Sequence, residues 1–205
     1  MSDTNAKACR NDVNPPIAEG AELEPCIGML ELSSVARGVE VTDAVLWEAQ
    51  VECLVASPVQ PGKYVLLFTG SVDDCKAGLA RGAELAGSDL IDQLLIPQVH
   101  AQVPVALRRR GGTIDGQLDA VGVVETATVA SSIVAADLAL KAATVDLIDL
   151  RVANGLGGKS FLVVTGEVSD VRSAVGAASD SARAAGHLQR DVVIAQPHRD
   201  LSRFL

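Results

Sequence analysis

The chain predicts an α+β fold built from two tandem copies of one small domain, each with helices on one face of a mainly antiparallel sheet. Three observations carry this. The stretch Ile27-Gly28-Met29-Leu30-Glu31 returns 94 positions later as Val121-Gly122-Val123-Val124-Glu125. Each copy then alternates between apolar runs of strand type and apolar residues at helical spacing. Turn signatures also fall at matching places, Gly62-Lys63 in the first copy and Gly158-Lys159 in the second.

The correspondence runs on through Val35 with Val129, Asp43 with Asp137, Leu46 with Leu140 and Ala49 with Ala143. After a two-residue insertion in the second copy, Gly70 answers Gly166, Asp74 answers Asp170 and His100 answers His198. Solenoid units repeat every ~20–50 residues, so this longer period marks a duplicated domain. Such a chain presents two similar surfaces related by a local symmetry.

Residues 1–25 are polar, carry Pro15-Pro16 and Pro25, and lack periodicity, which predicts a disordered extension. The first domain is expected over 26–105. It opens with a strand over Cys26 to Leu32 and a helix over 34–49, whose apolar positions include Val35, Val39, Val45 and Leu46. Strands over Glu52 to Val59 and Tyr64 to Thr69 flank Pro61-Gly62-Lys63, a hairpin signature. Ser71 offers an N-cap for a second helix through about Leu85, and Leu90 to Ile96 makes the last strand. Residues 106–118 read as a linker, in which Arg108-Arg109-Arg110 suits a solvated hinge better than a phosphate clamp. The second domain, 119–205, repeats the order: strand 120–126, helix 128–143, strands 145–152 and 160–165, helix 168–185, strand 191–195.

Composition excludes several classes. The 205 residues carry 17 basic and 26 acidic side chains, a net charge of −9 with no basic stripe, so nucleic acid is not an expected partner. Hydrophobic residues make up 48% but aromatics only 2%; lightly packed small domains of this kind gain from mutual burial and from oligomerisation. No apolar run of about 18 residues and no leader-like segment is seen, which predicts a cytosolic protein without a membrane partner. The cysteines Cys9, Cys26, Cys53 and Cys75 form no C-x-x-C pair and do not recur between copies, so neither a disulfide framework nor a zinc site is expected.

Ala153-Asn154-Gly155-Leu156-Gly157-Gly158-Lys159-Ser160 satisfies a relaxed phosphate-loop pattern. That motif needs a helix whose N-terminus faces the phosphates. Here Ser160 is followed by Phe-Leu-Val-Val-Thr, a strand-like run, so nucleotide binding is rejected. The segments Val59 to Gly62 and Ala153 to Gly158 read instead as equivalent hairpin tips. Their glycines suit tight turns and packing around an axis equally well, and the residues alone do not choose.

Ile27-Gly28-Met29-Leu30-Glu31-Leu32 and Val121-Gly122-Val123-Val124-Glu125-Thr126, each followed by a helix carrying Asp43 or Ala136-Asp137, resemble the bacterial microcompartment shell domain. So do the Gly70-Ser71-Val72 and Gly166-Glu167-Val168 steps. The resemblance covers residues 26 to 200 twice, without circular permutation of its ferredoxin-like order. It is most similar to the single-layer, trimer-forming shell proteins of the propanediol-utilisation type. It implies a non-enzymatic structural subunit: a homotrimeric, pseudohexameric tile that packs beside other shell hexamers and pentamers in a shell within the bacterial cytoplasm. The resemblance places Gln60 and Pro61 of one copy and Asn154, Gly155, Leu156 and Gly157 of the other around a central pore for small polar metabolites. It places Lys141, Trp47, Gln196 and His198 at the tile edge.

Three departures from the family pattern stand out. Relatives can carry an iron–sulfur cluster on a cysteine at the position of Gln60; glutamine supplies no thiolate, so no cofactor or metal is expected. Trp47 stands where the second copy has the edge lysine Lys141. Gln196 stands where an arginine is usual in the C-terminal edge turn, and Gln98 sits near the first-copy equivalent. Two other readings compete: a redox shell subunit with a pore metal cluster, and a tandem ferredoxin-like regulatory protein with a polar ligand pocket between the repeats. No Ser–His–Asp set or paired acids mark an enzyme, and a structural hydrogen bond is the expected role of His100 and His198.

Overall fold

In the computed structural model, residues 26–108, 118–152, 159–203 and 205 are described; the extension predicted over 1–25 lies outside them. The first copy comprises β1 (Cys26–Leu32), α1 (Val35–Glu48), β2 (Glu52–Val59), β3 (Lys63–Gly70), α2 (Val72–Ala86), a 3₁₀ turn (Gly87–Asp89) and β4 (Leu90–Ile96). A short helix, α3 (Gln102–Arg108), follows. The second copy comprises β5 (Ala120–Thr126), α4 (Val129–Ala142), β6 (Asp146–Val152), β7 (Ser160–Gly166), α5 (Val168–Ala184) and β8 (Leu188–Ala195), with a closing 3₁₀ turn (Leu201–Arg203). The sheets have the orders β2-β3-β1-β4 and β6-β7-β5-β8, and every pairing is antiparallel.

Local chemistry sets the helix starts. The hydroxyls of Ser34, Ser71 and Thr128 accept from the backbone N–H three residues on, at Arg37, Asp74 and Ser131. Each cap contributes about 1 kcal/mol. The duplication extends to irregularities: a register shift at Glu31/Leu32 recurs at Glu125/Thr126, and one between Cys53 and Val55 recurs between Leu147 and Asp149. Gly28 and Gly122 are both needed for close approach. A Cβ would stand 2.4 Å from the Phe68 ring in one copy and 2.4 Å from Val175 in the other.

Strand alternation divides the sheet faces. Cys26, Leu30 and Leu32 pack with Leu66, Phe68, Val41 and Leu79 beneath the helices of the first copy. Ile27, Met29, Val65 and Leu67, on the other face, belong to an apolar cluster that continues through Val103 and Leu107 of α3 into Ile133, Leu162 and Val175 of the second copy. One apolar cluster therefore runs through both domains, while the first copy keeps a separate one beneath its own helices.

Two sequence expectations change in detail. The helix α3 crosses the boundary drawn at 105/106, and its Val103, Ala106 and Leu107 are buried. The hinge expected at Arg108-Arg109-Arg110 thus begins as the last residue of a packed helix, while Arg109 and Arg110 lie outside the described residues. Seven residues with Pro104 in the first turn give too little periodicity to see, although proline is tolerated there. Strand β8 starts at Leu188 rather than 191. It is an edge strand with both faces largely solvated, so Gln189-Arg190-Asp191 hides its alternation.

Candidate functional site

The two copies meet at a polar seam of few residues. After β4 the chain turns at Gln98-Val99-His100, and the His100 amide donates to Asp137 Oδ1 of α4 at 2.8 Å. Lys141, one turn on, donates to Asp137 Oδ2 at 2.6 Å and to the Gln98 carbonyl at 2.6 Å. Asp137 is only 5% exposed, and a buried carboxylate requires such partners. Gln102, at the start of α3, accepts from the Leu147 amide at 2.7 Å through Oε1 and donates Nε2 to Asp146 Oδ1 at 3.3 Å. The turn of the first copy thus clamps both α4 and the edge strand β6 of the second. Around these bonds, Leu94 and Ile96 of β4 pack on the shared core.

Each half of this seam has an uncovered counterpart. The turn after β8 repeats two hydrogen bonds of the turn after β4, although Gln196 holds φ 51 and Gln98 does not have a positive φ. His198 accepts the Asp200 amide at Nδ1 (3.2 Å) as His100 accepts that of Gln102 (3.4 Å), and Leu201 N–H donates to the His198 carbonyl as Val103 N–H does to His100. The expected structural role of both histidines is therefore seen. Among the described residues nothing answers the His198 amide as Asp137 answers His100. On α1, the counterpart of α4, Asp43 is exposed. Val39 and Leu46 are 58% and 49% exposed, against 0% and 6% for Ile133 and Leu140. Trp47 is 85% exposed. Val192 and Ile194 of β8 are likewise exposed, where Leu94 and Ile96 are covered.

The hairpin tip between β2 and β3 projects Gln60, Pro61 and Gly62 into solvent, with Gly62 at φ +104 and its amide donating to the Val59 carbonyl at 2.9 Å. A positive φ of this kind favours glycine. Asn154, Gly155, Leu156 and Gly157 lie outside the described residues. Both tips are flanked by an ion pair that sequence reasoning missed: Lys63 with Glu31 at 3.0 Å and Lys159 with Glu125 at 2.9 Å. The glutamate repeated in the two opening strands was the available signal. Ser160 starts β7, not a helix, in line with rejection of the phosphate loop.

The four residues assigned to the tile edge separate. Trp47, Gln196 and His198 are exposed, whereas Lys141 already spends two donors inside the chain. Gln196 holds φ 51 and donates its amide to the Asp119 carbonyl at 2.7 Å. Cys75 is buried in α2, its thiol 3.8 Å from the Cys26 carbonyl, and burial pushes it up to about 12. Cys53 is half-buried on β2. The tip offers an amide side chain and no thiolate, so its residues do not fit a thiolate-held cluster. Among the described residues no three His, Cys, Asp or Glu side chains are grouped to hold a metal. A depression of about 600 Å³ lined by Glu48, Ala77, Ala80, Arg81 and Glu84 lies on the first copy's helices.

A bacterial microcompartment family model, the BMC domain, matches residues 26–99 and again 120–197. The chain is 43% identical over 181 residues to the bacterial microcompartment shell protein PduT of Citrobacter freundii, covering 88% of this chain and 97% of that one. It is 34% identical over 90 residues to the single-domain-length shell protein PduA of the same organism, 43% of this chain and 94% of that one. A solved microcompartment protein from Desulfitobacterium hafniense DCB superposes with a TM-score of 0.82 at 42% identity, over 87% of this chain and 98% of that one. Among the described residues no helix is long and apolar enough to cross a membrane. The chain belongs to the bacterial microcompartment shell-protein family, as a structural subunit of the shell with two BMC domains in tandem.

Proposed function

We propose that three copies of this chain close into one pseudohexameric tile of the shell wall. The observation that carries this reading is the seam: it is filled once inside the chain, and its two complementary halves stand uncovered on the other faces. A heterologous contact that repeats either closes into a ring or runs on as a filament. Six near-equivalent domains from three chains give a closed ring in which every half is used. Native mass spectrometry is expected to find a species of three 21.2 kDa chains. A stable monomer at micromolar concentration would sink the tile.

In such a ring the hairpin tips gather at the axis. Gln60 and Pro61 would alternate with Asn154, Gly155, Leu156 and Gly157 around a pore. Amide side chains offer both donors and acceptors, which suits small polar or anionic metabolites, with Leu156 narrowing the opening. Because Lys63 and Lys159 are matched by glutamates, the shoulders add no strong ring of charge. At the rim, Lys141, which already holds the Gln98 carbonyl, retains one donor for a carbonyl of a neighbouring tile, and Gln196 and His198 stand there in the equivalent turn of the second copy. The partners there are other shell hexamers and pentamers. No catalysis, cofactor or nucleic acid enters this reading.

A further inference from the structure

We infer that Trp47, read from sequence as a tile-edge residue, closes the seam between chains, where its indole covers the Gln196–His198 turn of a second copy of this chain. The inference rests on the trimeric reading and specifies its contact. Lys141 occupies the equivalent position in the internal seam, and its ammonium reaches the Gln98 carbonyl 43 residues away. Gln98 and Gln196 are equivalent, and the turns that carry them have matching hydrogen bonds at His100 and His198. A second copy seated on α1 in the same way brings the Gln196–His198 turn, with the backbone carbonyls it presents, over position 47.

Tryptophan there keeps one function of the lysine and exchanges another. Its Nε1–H is a single donor, sufficient for the one carbonyl. It has no charge with which to hold Asp43, whose counterpart Asp137 is bound by Lys141 at 2.6 Å. Asp43 retains the other role of Asp137, accepting the amide of the turn histidine, here His198 of the second copy. The indole instead supplies apolar cover next to Val39 and Leu46, which are exposed along the same helix. The ring would then alternate two kinds of seam, one tied by an ammonium within each chain and one sealed by an indole between chains. In the filled seam the Lys141 side chain remains partly exposed, so Trp47, almost fully exposed in the single chain, should become partly covered.

Trp47 is the only tryptophan in the chain, so its fluorescence reads this seam alone. Emission and acrylamide quenching would be measured on the trimer fraction, separated from larger assemblies, and on monomers of Ile194→Asp and Val192→Asp, altered on the far side of the seam. Wild-type protein diluted through its dissociation range gives the same comparison without substitution. The expected result is a blue-shifted, less quenchable indole in the trimer. Trp47→Ala should raise the trimer dissociation constant about tenfold or more, as truncating an interface aromatic does, and Trp47→Lys should recover most of it. A trimer whose indole emits and quenches like that of the monomer would overturn this inference and leave the tile standing. Failure to form any trimer, read separately by sedimentation, would overturn both.

Discussion

Helices α1 and α4 begin from the same signals and end in different surroundings. Each is 14 residues long and capped by a hydroxyl, that of Ser34 or Thr128. Along α4, eight residues are buried; along α1 only Gly38, Val41 and Val45 are. A helix apolar on most of its circumference is covered on more than one side, and α4 is covered by its own sheet and by the first copy's β4 and α3. The helix α1 carries apolar residues at the matching positions, but its second side faces solvent. Duplication supplies the control that a single domain lacks. One copy shows the pattern covered, and the other shows the same pattern left exposed.

The largest predicted difference falls on the aspartates. Asp137→Ala leaves the His100 amide and the Lys141 ammonium without their acceptor at a buried position. Loss of a buried acceptor bonded to a charge costs about 2–3 kcal/mol; partial exposure of Lys141 puts the value near the lower end. Asp43→Ala, at an exposed position, should cost within about 0.5 kcal/mol. Both would be measured by urea unfolding in the Ile194→Asp monomer background. Equal costs would mean that the internal seam is not held by Asp137. In the wild-type background the difference should narrow, because trimer formation is proposed to enlist Asp43.

Cys75 and its counterpart Val171 provide a second contrast. Burial raises the thiol from 9.0 to about 12 in the folded chain, and unfolding returns it to the ordinary range. Between those values the unfolded chain has released a proton that the folded chain keeps. Unfolding is therefore favoured as pH rises: the stability is complete below about pH 9 and is lost progressively toward 12. The slope approaches about 1.4 kcal/mol per pH unit for one group. Cys75→Val, which copies the second domain, should flatten stability between pH 9 and 10.5 relative to wild type. Parallel curves would place the alkaline loss elsewhere.

The fold was legible because the repeat let each weak signal be checked against its twin. Gly62-Lys63 and Gly158-Lys159 marked the hairpins, and strands β1, β2, β4 and β5 begin and end where patterning placed them. The helix α3 was not legible, since its buried face of Val103, Ala106 and Leu107 is set by contact with β6 rather than by a long period. The candidate site was half legible. Asp137, Lys141, His100 and His198 were visible as repeated or departing residues, but their meeting across the seam depends on tertiary packing that no local pattern encodes. Sequence spacing, which says nothing about a carbonyl 43 positions earlier, gave no sign of the internal bond that Lys141 makes. Gln102 carried no signal, since its counterpart is Asp200 and the repeat has ended there.

The smallest predicted effect concerns the two turns themselves. Gln196 adopts φ 51, in the left-handed region where an L side chain crowds its own carbonyl at a cost of roughly 1–2 kcal/mol. Gln98 is not among the positive-φ residues, although the two turns share their histidine hydrogen bonds. Asparagine tolerates the left-handed region better than glutamine and, unlike glycine, does not greatly loosen the unfolded chain. Gln196→Asn should therefore stabilise by about 0.5 kcal/mol, while Gln98→Asn should give no gain. Thermal unfolding of both variants in the monomer background resolves this, since the Gln196 amide bond to Asp119 is a backbone contact that the substitution leaves in place. A loss at position 196 would mean that the glutamine side chain itself holds the turn.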